Sequence, residues 1–149
     1  MSHTNEKIKR IGEAGIWSAE KLNLLRCYLS GFLKATKRAH SRYYIDLFAG
    51  PGRNRVRETG EEIDGSPLIA MKAGPPDFTC LFLVDRSQQN AMSLDEYCKD
   101  YPGRCANISC GNANEDIDEI LQNIPKKTLQ PSPFLIHEEV SLNGGPLSS

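Results

Sequence analysis

Tyr43-Tyr44-Ile45-Asp46-Leu47-Phe48-Ala49-Gly50-Pro51-Gly52 constrains this chain more than any other stretch. An apolar, aromatic run of this kind is a buried strand, and it leads straight into a glycine turn. The acid Asp46 sits inside the strand, and Gly50 and Gly52 follow where backbone must come close to a ligand. An α/β fold opens a nucleotide-like pocket in this way, at the carboxyl end of its first strand.

The rest of the chain supports that architecture. Leu22, Leu25, Leu29, Phe32 and Leu33 form an apolar stripe at helical spacing, with Lys21, Lys34, Lys37 and Arg38 off it. Ser18 is expected to cap this helix at Ala19, with Trp17 and Leu22 spaced as a hydrophobic staple. The first strand spans about 43–48. Arg53 to Gly65 is charged and turn-like, and Ser66-Pro67 opens a short helix over 67–73. Phe78 to Val84 is a continuous apolar run, as suits a parallel strand covered on both faces, and Asp85 stands at its end. A polar helix follows over about 87–99, then a weaker strand at 106–109 and the Gly111-Asn112-Ala113 turn. A helix over 114–123 and a strand at Pro133–Ile136 complete the order. The fold class is therefore α/β, with a parallel sheet, right-handed crossovers and no internal repeat. Residues 1–15 are expected as a flexible lead-in, 16–137 as the folded domain and 138–149 as a disordered tail.

Composition excludes more than it selects. The 149 residues suit one domain with a real core. Neither a membrane span of ~20 apolar residues nor an apolar leader is visible, so a cytoplasmic location is expected. The five cysteines, Cys27, Cys80, Cys98, Cys105 and Cys110, contain no CxxC, and their spacing fits no standard zinc site. Reduced, partly buried thiols are expected, and no metal. Residues 1–57 carry 12 Lys/Arg against 4 Asp/Glu, and residues 58–149 carry 6 against 15. Such asymmetry marks either a nucleic-acid-facing half, with Arg53, Arg55 and Arg57 prominent, or a solvated basic helix beside an acidic surface.

In a parallel sheet, three successive strand ends open on one edge: Asp46 with the Ala49–Gly52 turn, Asp85, and Gly111-Asn112-Ala113. A ligand there meets close backbone, then a carboxylate, then an amide. S-adenosylmethionine offers matching groups. A carboxylate can accept both ribose hydroxyl hydrogens, and an amide oxygen can accept from the adenine amino group. A dinucleotide fits less well, because its fingerprint needs a third glycine where Arg55 stands, and an acid nearer than Asp85. There is no GxxxxGK[ST], GxSxG or HExxH, and His3, His40 and His137 are scattered.

Asp46-Leu47-Phe48-Ala49-Gly50-Pro51-Gly52 resembles motif I of class I methyltransferases. With Trp17, Lys21-Leu22, Gly65-Ser66-Pro67-Leu68-Ile69-Ala70 and Phe82-Leu83-Val84-Asp85, the pattern over about residues 16–136 resembles the three-Cys-motif partner proteins, TcmP. The resemblance implies a Rossmann-like, doubly wound parallel sheet and S-adenosylmethionine as cofactor. A protein carrying the three cysteines would be the partner. It places Asp46, Ala49, Gly50 and Gly52 at the methionine end, Asp85 at the ribose, and Asn112 and Ala113 by the adenine. Asn112 stands where that family shows Asp, which keeps an acceptor and loses the charge.

The similarity stops after Ile136, where His137-Glu138-Glu139 replaces an acid and a proline. The sheet is thus expected to be incomplete after its fourth strand, as in a fragment or a C-terminally altered product. No catalytic residue is named, since acceptor-contacting groups belong at and beyond that strand. The alternative function is a non-catalytic interaction module that keeps the fold and binds a partner protein or nucleic acid.

Overall fold

The computed structural model describes residues 9–123 and 134–137. In chain order these form β1 (Ile11–Ala14), α1 (Ile16–Ala35), β2 (Tyr43–Asp46), β3 (Arg53–Val56), β4 (Glu62–Asp64), α2 (Ser66–Lys72) and β5 (Cys80–Asp85). α3 (Gln88–Cys98), β6 (Ala106–Cys110), α4 (Ala113–Asn123) and β7 (Phe134–His137) follow. The larger sheet is all parallel, in the spatial order β6-β5-β2-β7. Tyr43 pairs with Cys80 on one side and with Phe134 on the other.

Alternating side chains along β2 and β5 feed two cores. Tyr44, Leu81 and Leu83 join Leu29 and Leu33 of α1, Ile69 and Met71 of α2, and Leu94 of α3. Tyr43, Ile45 and Val84 join Ile120 of α4. Helices therefore cover both faces, which is why β5 is apolar at successive positions. The tilted Tyr44 and Phe78 rings lie 5.5 Å apart.

The smaller sheet has the order β1-β3-β4 and was not expected. Residues 9–15, assigned from sequence to a flexible lead-in, are tied down by parallel pairing of β1 with β3; residues 1–8 and 138–149 lie outside the described residues. β3 and β4 form a hairpin whose turn uses Gly60 at φ 77°. The register sets Arg53 opposite Asp64 and Arg55 opposite Glu62, with ion pairs of 2.6 and 2.7 Å. Two of the three arginines considered for nucleic acid thus already have carboxylate partners.

Three local expectations are corrected. α1 begins at Ile16, because extended Gly15 after β1 accepts the Ser18 and Ala19 amides. Ser18 is buried within the helix, and Trp17 is 65% exposed, so no staple forms with Leu22. Gly65 precedes α2 as its cap, which leaves the Ser66 hydroxyl for another acceptor. Cys80 and Cys105 are joined in a disulfide rather than reduced. Pairing of β5 with β6 brings them together: Leu81 donates its amide to the Cys105 carbonyl at 2.9 Å, and the two Cα atoms lie 4.6 Å apart. Cys27, Cys98 and Cys110 are free.

Candidate functional site at the carboxyl edge of the parallel sheet

β2, β5 and β6 run in one direction, so their carboxyl ends meet on one edge. Hydrogen bonds knit these ends together. The Ala49 amide donates to the Val84 carbonyl at 2.9 Å, and the Gly111 amide to the Asp85 carbonyl at 3.0 Å. Gly50 donates its amide to Asp85 Oδ1 at 2.9 Å. The turn after the first strand is thereby fastened to the acid that ends the second.

Asp85 is a hub. Its Oδ2 accepts from the Ser87 amide at 3.0 Å and from Asn90 Nδ2 at 2.9 Å. A carboxylate has about four acceptor positions, so three of Asp85's are engaged. Ser87 caps α3 by accepting from the Asn90 amide at 3.2 Å. Asp46 is fully buried. It accepts from the Tyr44 hydroxyl at 3.1 Å, the Phe48 amide at 3.2 Å and the Ser66 hydroxyl at 2.5 Å. Asp46 therefore fixes the strand end and the start of α2 from beneath the turn.

The two glycines of the turn have different jobs. Gly50 has φ 75°, and among the described residues a Cβ there would meet nothing within 4 Å. Gly52 has φ 119°, and a Cβ there would lie 2.5 Å from Cδ2 and 2.8 Å from Cε2 of Tyr97. Gly52 thus serves packing against α3, while Gly50 borders open space. Gly52 also accepts the Gly65 amide at 2.7 Å, which closes the loop that holds the hairpin.

Asn112 and Ala113 lie at the third strand end, as expected, but their groups are partly committed. Asn112 Oδ1 accepts the Asn114 amide at 2.8 Å, and the Asn112 carbonyl accepts from Glu115 and Asp116, so this residue caps α4. Ala113 opens α4 and packs on the core beneath it. Among the described residues, buried Asp116 Oδ2 has no hydrogen-bond partner, and a Cβ at Gly111 would strike it.

Sequence reasoning missed the residues that hold this edge in place. Ser93, fully buried, accepts the Arg10 amide at 2.7 Å and donates to the Pro51 carbonyl at 2.8 Å. Tyr97 donates its hydroxyl to the Arg10 carbonyl at 3.1 Å. Burial raises this phenol above its ordinary value, with Arg53 and Lys9 opposing, so it stays protonated and able to donate. The Arg10 guanidinium reaches Gln89 at 2.9 Å and Asn90 at 3.4 Å. The signal was present: Asn90, Ser93 and Tyr97 fall on one side of a helix at i, i+3 and i+7. A polar stripe of that kind facing inward needs partners.

Among the described residues, no cluster of three His, Cys, Asp or Glu is placed to hold a metal, and no helix is long and apolar enough to cross a membrane. No family model, curated protein or solved structure matches this chain.

Proposed function

We propose that this chain is an S-adenosylmethionine-binding, methyltransferase-like domain of the TcmP type, with a Rossmann-like sheet. The observation that carries the reading is the Gly50–Asp85 contact, which joins the glycine turn to the ribose-type acid at neighbouring strand ends. The order β6-β5-β2-β7 supports it, because chain progression reverses beside β2 as in a doubly wound sheet, and ligands bind at the carboxyl edge of such a switch point. Gly50 leaves room for a ligand to approach, and Phe48, 43% exposed, adds apolar surface beside it. A ribose diol would bind Asp85 by using its remaining acceptor position and replacing one present donor. Gly52 leads into β3 and not into a helix, so the turn offers no helix N-terminus to a pyrophosphate. This favours an adenosyl ligand over a dinucleotide. The methyl acceptor and the catalytic groups lie outside this proposal.

Thermal shift and alkylation test it together. Ligand at 100 times its dissociation constant stabilises by ~2.7 kcal/mol, which for this size raises Tm by roughly 5–11 °C. Cys110 is exposed and paired in register with Asp85, whereas Cys27 is exposed on α1. S-adenosylmethionine should therefore slow alkylation of Cys110 and leave Cys27 unchanged. An unmoved Tm with millimolar S-adenosylmethionine and S-adenosylhomocysteine, or equal Cys110 labelling with and without them, removes the assignment.

A further inference from the structure

α1 carries a second stripe on the side that its own core leaves exposed. Trp17, Leu24 and Tyr28 are 65%, 71% and 58% exposed, and Lys21, Gly31 and Ala35 are exposed beside them. These six residues fall at successive spacings of four and three, the seam of a coiled coil. Trp17, Leu24 and Gly31 take one core position, and Lys21, Tyr28 and Ala35 the other. A Cβ at Gly31 would meet nothing within 4 Å among the described residues, so no close contact of its own chain there calls for glycine. Glycine in a helix interior is costly unless close approach requires it.

The stripe is graded in size along the helix, bulky at Trp17 and minimal at Gly31 and Ala35. A graded seam fits itself only when reversed. We infer that α1 of one copy packs antiparallel on α1 of a second copy, forming a twofold dimer. In that register Trp17 lies against Ala35 of the other copy, Leu24 against Tyr28, and Lys21 over Gly31. Each layer except the two central Leu–Tyr ones sets a long side chain against a minimal one. The outer flanking positions are Glu20, Cys27 and Lys34, all exposed. Reversal sets Glu20 opposite Lys34 twice and brings the two Cys27 residues together at the axis. Charge and size therefore select the same pairing.

The area agrees with a weak, specific contact. Aromatic side chains present roughly 150–250 Å² each, so this stripe exposes on the order of 400 Å² of apolar surface per copy. That is the size of the largest apolar patch on an ordinary monomer, a patch that is often functional. Two copies with a polar rim reach about 1,200–1,400 Å², the lower end of specific interfaces. A micromolar dissociation constant is expected. The inference stands apart from the adenosyl reading, because the stripe is on α1 and not on the sheet edge.

Sedimentation velocity over a concentration series tests it on the full chain. The wild type should shift from monomer to dimer in the micromolar range. Leu24→Glu, at an exposed position, should weaken association at least tenfold. Glu20→Lys should weaken it about 3- to 10-fold by like-charge repulsion with Lys34, and Glu20→Lys combined with Lys34→Glu should restore it. A short bis-maleimide should link copies through Cys27, and Cys27→Ser should abolish the link. A monomer at every concentration, a dimer indifferent to Leu24→Glu, or a double charge exchange that fails to restore association overturns the inference.

Discussion

Gly52→Ala isolates the packing on which the glycine turn depends. Two costs meet at this position. An L-residue at φ 119° sits outside its preferred backbone regions, which costs about 1–2 kcal/mol. Its Cβ would also lie 2.5 Å from the Tyr97 ring, and overpacking of this kind costs about 1–3 kcal/mol. Alanine restricts the unfolded chain and returns about 0.4–1 kcal/mol. The net loss is about 3 kcal/mol, or roughly 6–12 °C in Tm for a chain of this size. Gly50→Ala meets only the backbone cost, because no described atom lies within 4 Å of its Cβ, and should lose about 1 kcal/mol. Urea unfolding followed by far-UV circular dichroism suits the comparison; Trp17 is too exposed to report through fluorescence. A double-mutant cycle with Tyr97→Ala then separates the two costs. Removing the ring should reduce the penalty of Gly52→Ala by about 1–3 kcal/mol, the steric part. Equal losses at Gly50 and Gly52, or no coupling to Tyr97, would refute the account of the turn as a loop wedged on α3.

Other expectations follow from the same contacts. Ser93→Ala strands the Arg10 amide and the Pro51 carbonyl, so it should cost about 1–3 kcal/mol and speed proteolysis within residues 9–15, read by unfolding and limited digestion. Under denaturing, non-reducing conditions an alkylating agent should label Cys27, Cys98 and Cys110, with Cys80 and Cys105 joining only after reduction; mass spectrometry showing five labelled thiols without reductant would exclude the bond. In the native protein at pH 8, Cys98 should react more slowly than Cys27, because burial first and Asp95 second push its thiol up to about 11. That thiol ionises near 9 when unfolded, so its effect on stability is flat below about pH 9. Stability should then fall as pH rises from 9 toward 11, where the unfolded chain releases the proton more readily. A pH-independent unfolding midpoint across that interval would contradict the burial.

Apolar periodicity made the main sheet and its helices legible. β5 could be read because burial on both faces demands apolar residues in succession, here from Cys80 to Val84, and the buried face of α1 because Leu29 and Leu33 recur at helical spacing. The small sheet escaped because Ile11–Ala14, Arg53–Val56 and Glu62–Asp64 bury little, so pairing rather than propensity makes them strands. The opposed charges of Arg53 and Arg55 against Glu62 and Asp64, alternating around Gly60, were the available sign of a hairpin.

At the candidate site the chain order alone placed Asp46, Gly50, Asp85 and Asn112 at strand ends, because a parallel sheet delivers successive carboxyl ends to one edge. What each group does there was decided only in three dimensions. Local spacing says nothing of Tyr97 filling the space at Gly52, or of Ser93 joining residues 83 and 42 positions away. Those contacts depend on which helix crosses which turn. Sequence fixes a residue's kind and its neighbours along the chain, whereas hydrogen-bond supply and steric room come from segments far away.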